Sequence, residues 1–269
     1  MSGLPLIGSE DPWSSGPFSS RVMCVLAPNA GPMTLDGTKT WIVGDAGGPV
    51  VVIDPGPDDV GHLRAVVAAC YGPVSHILLT HGHPDHSEGA ARLHDMTGAP
   101  VRALDPRHRL GSEGLEAGDV VTAGSDEIHV IASPGHTADC LSFHLLREGA
   151  LLTGDTVLGR GTTVVAWPDG DLGSYLDSLT DLRARIEASE AVAILPGHGP
   201  VLTDPIGVLD AYLDHRRTRL DQVRAALAAG ARTPDEVVDA VYDEVSESVR
   251  WAALLSTRAQ LAYLDSLTD

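Results

Sequence analysis

Apolar positions in the first third of the chain come in short runs separated by turn-forming residues. Residues 21–26, 40–43 and 50–53 are three such runs, the last stopped by Asp54-Pro55-Gly56, and each reads as a β-strand. Over residues 62–70 the period changes. Leu63, Val66, Val67 and Cys70 recur at three and four, which places them on one face of a helix. Four later runs share a single design. Residues 76–80 lead into His81, residues 128–131 into Ser133-Pro134-Gly135-His136, residues 151–154 into Asp155, and residues 193–197 into His198. Each is strand-like, closes on small residues and delivers a side chain able to bind a metal. Layered α/β proteins gather their chemistry in loops just past strand ends, because rigid strands aim those loops.

The second half is helical in pattern. Leu172, Leu176, Leu179, Leu182 and Ile186 step by three and four, and Leu209, Tyr212, Leu213, Leu220, Val223 and Leu227 mark a longer helix. Gly230 interrupts it. Thr233-Pro234-Asp235-Glu236 then predicts a new start, with Thr as cap, Pro in the first turn and Glu closing a capping box. Residues from about 246 to 264 return to a helical period. No internal repeat of solenoid length is present. The pattern predicts an α/β protein, with a sandwich-like catalytic domain over residues 1–205 and a small C-terminal helical domain over 206–269.

Composition narrows the possible partners. Hydrophobic residues make up 43% of the chain and charged residues 20%, an ordinary globular balance. The formal net charge is −19, a field that repels nucleic acid and anionic membranes at long range. Residues 206–269 carry seven Arg against eleven acidic residues, a net of −4, which is a poor footprint for RNA binding. Cys24, Cys70 and Cys140 form no paired framework, as expected in a reducing cytoplasm. The leading residues lack a basic segment followed by an apolar core, and no apolar run reaches the roughly 20 residues of a membrane span. A cytoplasmic protein with no membrane association is expected, its oligomeric state left open.

The chemistry centres on His81-Gly82-His83-Pro84-Asp85-His86. Alternate histidines in a turn can converge on one ion, and the following Asp-His pair can face a second. Imidazole and carboxylate together suit zinc, and also iron or manganese. Chance would place such a hexapeptide in roughly two of a thousand chains of this composition. His62, His76, His94, His108, His129 and His144 stay outside the set as surface or packing residues. Asp54, at a strand end, either orients a ligand from behind or stabilises a turn. Cys140 reads as a buried thiol.

Residues 80–90, with Pro134-Gly135-His136-Thr137, Gly154-Asp155 and Pro196-Gly197-His198-Gly199, resemble the metallo-β-lactamase-fold superfamily over nearly the whole chain. The resemblance implies an αββα sandwich with two metals at the edge between its sheets. His81, His83 and His136 would hold the first, Asp85, His86 and His198 the second, and Asp155 would bridge them. Ala27-Pro28-Asn29, residues 31–38, Thr40, residues 158–163 and Tyr212-Leu213-Asp214-His215-Arg216 are similar to the branch of β-lactamase-like protein 2 and hydroxyacylglutathione hydrolase-like enzymes. That branch contains thioesterases of carrier-bound acyl chains and a single-strand endoribonuclease, and carries a small winged-helix-like C-terminal unit. Lys39 replaces the branch's usual Asn, and the tail has no strand pair to form a wing. Thr163 and Tyr175 would line the pocket.

The expected activity is a dizinc hydrolase acting on a thioester or other small ester through a metal-bridging hydroxide, with Asp85 as both ligand and proton relay. The substrate would be a small molecule or an acyl carrier. No Gly-x-Ser-x-Gly elbow suggests a serine nucleophile. Two alternatives remain: a single-strand endoribonuclease, opposed by the net charge, and a mononuclear iron enzyme like the persulfide dioxygenases, which use a similar His-x-His-x-Asp-His motif with the second site empty. His215, Arg216, Arg217 and Arg219 form a basic cluster. It either holds a substrate phosphate or carboxylate at the cleft, or is a solvated helix face paired with Asp214 and Asp221.

Overall fold

Alternation along the strands sorts their side chains into two cores. In the computed structural model, which describes residues 14–111, 113–242 and 245–267, strand β4 (Val50–Ile53) sends Val50 and Val52 to one side and Val51 and Ile53 to the other. It belongs to a six-stranded sheet in the order β1 (Gly16–Pro17), β2 (Val22–Leu26), β3 (Lys39–Gly44), β4, β5 (Val74–Leu78) and β6 (Val101–Arg102). The second sheet has five strands: β7 (Val120–Ala123), β8 (Asp126–Ala132), β9 (Leu141–Leu145), β10 (Ala150–Gly154) and β11 (Ala193–Pro196), in the order β11-β10-β9-β8-β7. Val51, Ile53 and Leu78 of the first sheet share one core with Val130, Phe143 and Leu152 of the second, so the sheets lie face to face. The absence of a secretory signal was read from leading residues that mostly lie outside the described ones.

Helices cover the two outer faces. Helices α1 (Val60–Ala69), α2 (Pro84–Ser87) and α3 (Ala90–Thr97) follow β4 and β5, and Leu63, Val66 and Leu93 close over Val50, Val52 and Ile77. Helix α4 (Leu172–Ser189) covers the second sheet, packing Leu179, Leu182 and Ile186 against Leu151 and Ile194. The result is an αββα sandwich. Strand pairs β4–β5 and β10–β11 are parallel, each joined by a crossover through α1 or α4. All four runs that pointed at candidate ligands are strands, namely β5, β8, β10 and β11. Strand β9 was not predicted. It sits between β8 and β10 with all five residues buried, but Ser142 and His144 interrupt the unbroken apolar run that marks the equally buried β4.

Beyond Pro205 the described residues hold helices and no strands: α5 (Pro205–Ala228), α6 (Pro234–Val241) and α7 (Arg250–Ser266). Asp204 caps α5 and Pro205 opens it, while Thr233 and Glu236 form the expected capping box of α6. The first half of α5 is rooted in the body, because Leu209, Tyr212, Leu213 and Leu220 share the core of α4. Farther along, Val223 and Ala226 join Val237 of α6 in a small separate cluster.

Candidate metal centre

The centre forms where the two sheets meet at one edge. The Lys39 N–H donates to the Gly197 carbonyl at 2.8 Å, and the Leu141 N–H donates to the Thr80 carbonyl at 2.7 Å. These bonds tie the end of β11 to β3 and the end of β5 to β9, each across the two sheets. After β5 the chain makes a short loop and enters α2, with His83 as the residue before its first turn and Pro84 at the first position. Asp85 and His86 therefore occupy the first turn, with the His86 ring centroid 4.3 Å from that of His81. Asp155 follows β10, His136 follows β8 and His198 follows β11.

The seven candidate ligands fall into two groups. His81, His83, His136 and Asp155 offer atoms within 4.8 Å of one another, and so do Asp85, His86 and His198. In the first group His83 Nδ1 lies 3.1 Å from His81 Nε2 and 3.0 Å from His136 Nε2. In the second, the Nε2 atoms of His86 and His198 are 3.1 Å apart, and Asp85 Oδ2 is 3.1 Å from His198 Nε2. Ligands at about 2.0–2.1 Å around one tetrahedral ion would stand roughly 3.3 Å apart, so the spacing suits one ion in each group. Asp155 faces both. Its Oδ1 lies 3.3 Å from His86 and from His198, and its Oδ2 lies 3.7 Å from His136.

The outward nitrogens are fixed by partners that mostly accept. His136 Nδ1–H donates to the Val164 carbonyl at 2.7 Å, and His198 Nδ1–H to the Gly37 carbonyl at 3.2 Å. His86 Nδ1–H donates to Asp54 Oδ2 at 2.8 Å. Thr80 gives its hydroxyl proton to Asp54 Oδ2 at 2.7 Å and stands 3.0 Å from His81 Nδ1, so it accepts from that ring. Each of these imidazoles is left with its Nε2 lone pair aimed inward, as metal ligation needs. Asp54 is thus a support behind two ligands, which decides between its two sequence readings. It holds this place with φ at 51°, an uncommon left-handed backbone.

Electrostatics agree with a cation site. Burial pushes His81 and His136 below the ordinary imidazole range, so they are neutral donors. Burial also works against charge on His86 and His198, yet the surrounding carboxylates outweigh it, led by Asp155. His86 is held well above its usual value and His198 up to about 9. Asp155, despite burial, is kept far below the carboxylate range by His198 and His86. The acidic side chains here call for positive charge, which either protons or metal ions can supply.

Four further residues were expected near substrate. Thr163 is buried and its hydroxyl donates to the Asp155 carbonyl. Tyr175 is completely buried, and its hydroxyl donates to the Thr156 carbonyl at 2.7 Å. Its ring lies beneath the Arg216 guanidinium, 4.9 Å away. Arg216 is itself buried, at 4% exposure, and its Nη2 donates to the Thr163 carbonyl at 2.5 Å. The solvated-face reading therefore fails for Arg216 and holds for Arg217, which pairs with Asp214 in the open. Position 216 falls on the buried stripe of α5 with Leu209, Leu213, Leu220 and Val223, a signal present in the sequence. His215 lines the cavity beside it. The Gly37 and Val164 carbonyls were missed, since a main-chain acceptor leaves no side-chain trace. Cys140 is a buried thiol pushed up to about 12 by its surroundings, chiefly burial.

Known proteins place this geometry. The chain is 33% identical over 259 residues to a β-lactamase-like protein 2 homologue of Caenorhabditis elegans, covering 92% of this chain and 85% of the other. A β-lactamase domain protein from Burkholderia ambifaria superposes with a TM-score of 0.78 at 22% identity, covering 94% of this chain and 88% of that one. A protein designated TTHA1623, solved in a di-iron-bound form, superposes with a TM-score of 0.55 at 25% identity over 70% of this chain and 98% of its own. The family model of the metallo-beta-lactamase superfamily matches residues 33–198, from the loop before β3 to the final histidine of the centre. The chain belongs to the metallo-β-lactamase superfamily and is a metal-dependent hydrolase of that fold.

Proposed function

We propose that the protein is a dinuclear, zinc-type hydrolase of acyl thioesters or other small esters. The observation that carries this reading is Asp155, whose two oxygens face different ligand groups, as a carboxylate shared by two ions would. His81, His83 and His136 would hold one ion, Asp85, His86 and His198 the other. The donor set of five imidazoles and two carboxylates suits zinc and also admits iron or manganese. Bound there, the metal pair supplies an activated water at neutral pH and a Lewis acid for the acyl oxygen.

The chain's own residues do the rest. Asp85 is the more open carboxylate of the centre, with a side chain 28% exposed against 12% for Asp155. It can take a proton from attacking water and return it to the leaving group. Thr38 Oγ1, 3.5 Å from Asp85 Oδ2, stands where it can orient that carboxylate. The acidic chain disfavours RNA as substrate. No described helix is long and apolar enough to cross a membrane, and the free cysteines suit a reducing cytoplasm.

The test is elemental analysis of tag-free protein followed by turnover of acyl thioesters and single-stranded RNA. Two metal ions per chain with thioester hydrolysis is the expected result, and Asp85→Ala should abolish it. One iron per chain without hydrolysis, or cleavage of RNA alone, would overturn the reading.

A further inference from the structure

A cavity of about 280 Å³ lies beside the metal centre, between Pro32, Met33 and residues 162–164 on one side and α5 and α7 on the other. It shares the wall of Pro32, Met33, Thr162, Thr163 and Val164 with a second cavity of about 220 Å³, which reaches His136 and Asp155. One continuous groove therefore leads from the metal ligands to α5.

Among the described residues its far end carries His215, Arg216 and Arg219, in a chain of net charge −19. Arginines on the neighbouring helices pair with carboxylates: Arg183 with Asp210, Arg217 with Asp214, Arg224 with Asp221 and Arg250 with Asp239. Arg216 and Arg219 break that pattern. Among the described residues neither has an ion-pair partner. Each guanidinium lies instead over an aromatic ring, Arg216 over Tyr175 at 4.9 Å and Arg219 over Tyr242 at 4.4 Å. The Nε–H groups of both, and His215 Nδ1, are buried and meet no partner. Arg216 is 4% exposed. A buried cation such as Arg216 that meets no counterion among the described residues is costly unless something anionic joins it, and the half-buried Arg219, bonded to Gln222 and the Val241 carbonyl, stands one turn away. His215, pushed down to about 4 by burial and then by Arg216 and Arg219, reports the same positive field. The rest of the wall is mainly apolar, with Met33, Val164, Val249 and Ala253 beside the hydroxyls of Thr162, Thr163 and Ser256.

We propose that this cavity holds the anionic end of an amphipathic acyl substrate, a phosphate or carboxylate gripped by Arg216 and Arg219. The carbon chain lies along Met33, Val164 and Val249, and the scissile acyl group sits at the His136–Asp155 end of the groove. The proposal rests on the hydrolase reading and names the substrate class that reading leaves open.

The test uses the metal-loaded full chain. Decyl phosphate, decanoate and decanol are titrated calorimetrically into wild type and Arg219→Gln. Arg219 is chosen because Arg216 also braces Thr163, and thermal unfolding checks that the variant folds. An anion binding at least tenfold more tightly than decanol, with most of that margin lost in Arg219→Gln, supports the proposal. Equal binding of decyl phosphate by both proteins, or equal binding of all three probes, overturns it. A single-stranded RNA decamer that binds the groove while none of the decyl probes does also overturns it. Kinetics then separates the two anions. The N-acetylcysteamine thioesters of ω-phosphonodecanoate and ω-carboxydecanoate are compared with the neutral decanoyl N-acetylcysteamine thioester. The ratio of KM between neutral and charged substrate should collapse in the variant for whichever charge the cavity reads. Should no thioester be turned over, the hydrolase reading fails, and the calorimetry still decides the anion site.

Discussion

Asp54 serves two ligands at once, taking His86 Nδ1–H directly and reaching His81 through Thr80. Replacing it by Asn keeps the shape and removes the charge. Asp54→Asn should weaken metal binding about 10–100-fold, read by competition with a chromophoric chelator, and an unchanged affinity would return Asp54 to a turn residue. His215 gives a pH prediction. The fold holds it at about 4, whereas the unfolded chain titrates it near 6.5. Between these values the unfolded state binds a proton that the folded state refuses, so stability falls as pH drops from 6.5 to 4. His215→Gln should therefore lose less stability over that window than wild type, as urea melts at pH 7 and pH 4.5 would reveal. At this scale local spacing marks His81, His83, Asp85 and His86, strand-end runs mark His136, Asp155 and His198, and the structure brings these seven candidates into two groups. The role of Asp54 was not legible, because it depends on β4 and β5 ending side by side.

Unbroken apolar runs located the buried β4 and β11, three-four steps located α4 and α5, and the Thr233 cap located α6, while β9, with Ser142 and His144 in its run, and the short β7 were missed. Helix α5 shows how an element acts on the centre from outside it. The Tyr212 hydroxyl accepts from the Leu158 N–H at 2.9 Å and donates to the Leu158 carbonyl at 3.2 Å, in the segment that follows Asp155. Arg216, one turn on, holds the Thr163 carbonyl, and the next residue's carbonyl orients His136. Tyr212→Phe strips both partners from a buried main-chain group. It should cost about 1–3 kcal/mol in urea unfolding and raise the mobility of the segment around Thr163. An unaltered unfolding midpoint would detach α5 from the centre.

For the whole molecule, the candidate ligands extend from His81 to His198 and come from both sheets, so metal binding should be coupled to folding. A site filled at a hundredfold excess over its dissociation constant adds about 2.7 kcal/mol. Two sites on a chain of this size should shift the melting temperature by roughly 10 °C. Chelation should lower it by that amount and added zinc should restore it, and a melting curve indifferent to chelator would contradict the coupling. The winged-helix-like unit expected from resemblance is, among the described residues, three helices. The sequence could not reveal how far α5 is sunk into the body, since a helical stripe does not name what it faces.

That rooting of α5 bears on how such a chain can change. The inner wall of the groove hangs on residues that also hold the body together, Tyr212 and Leu213 among them. Its outer wall, at Val249 and Ala253, stands on the stretch entering α7, beside a satellite cluster of its own. Mutations there can reshape what the groove accepts with little loss of fold, while the reacting end is guarded by residues that cannot drift without unfolding the protein. Substrate range and chemistry are thereby placed under separate selection within one chain, and descendants of such a chain should diverge first in α6 and α7.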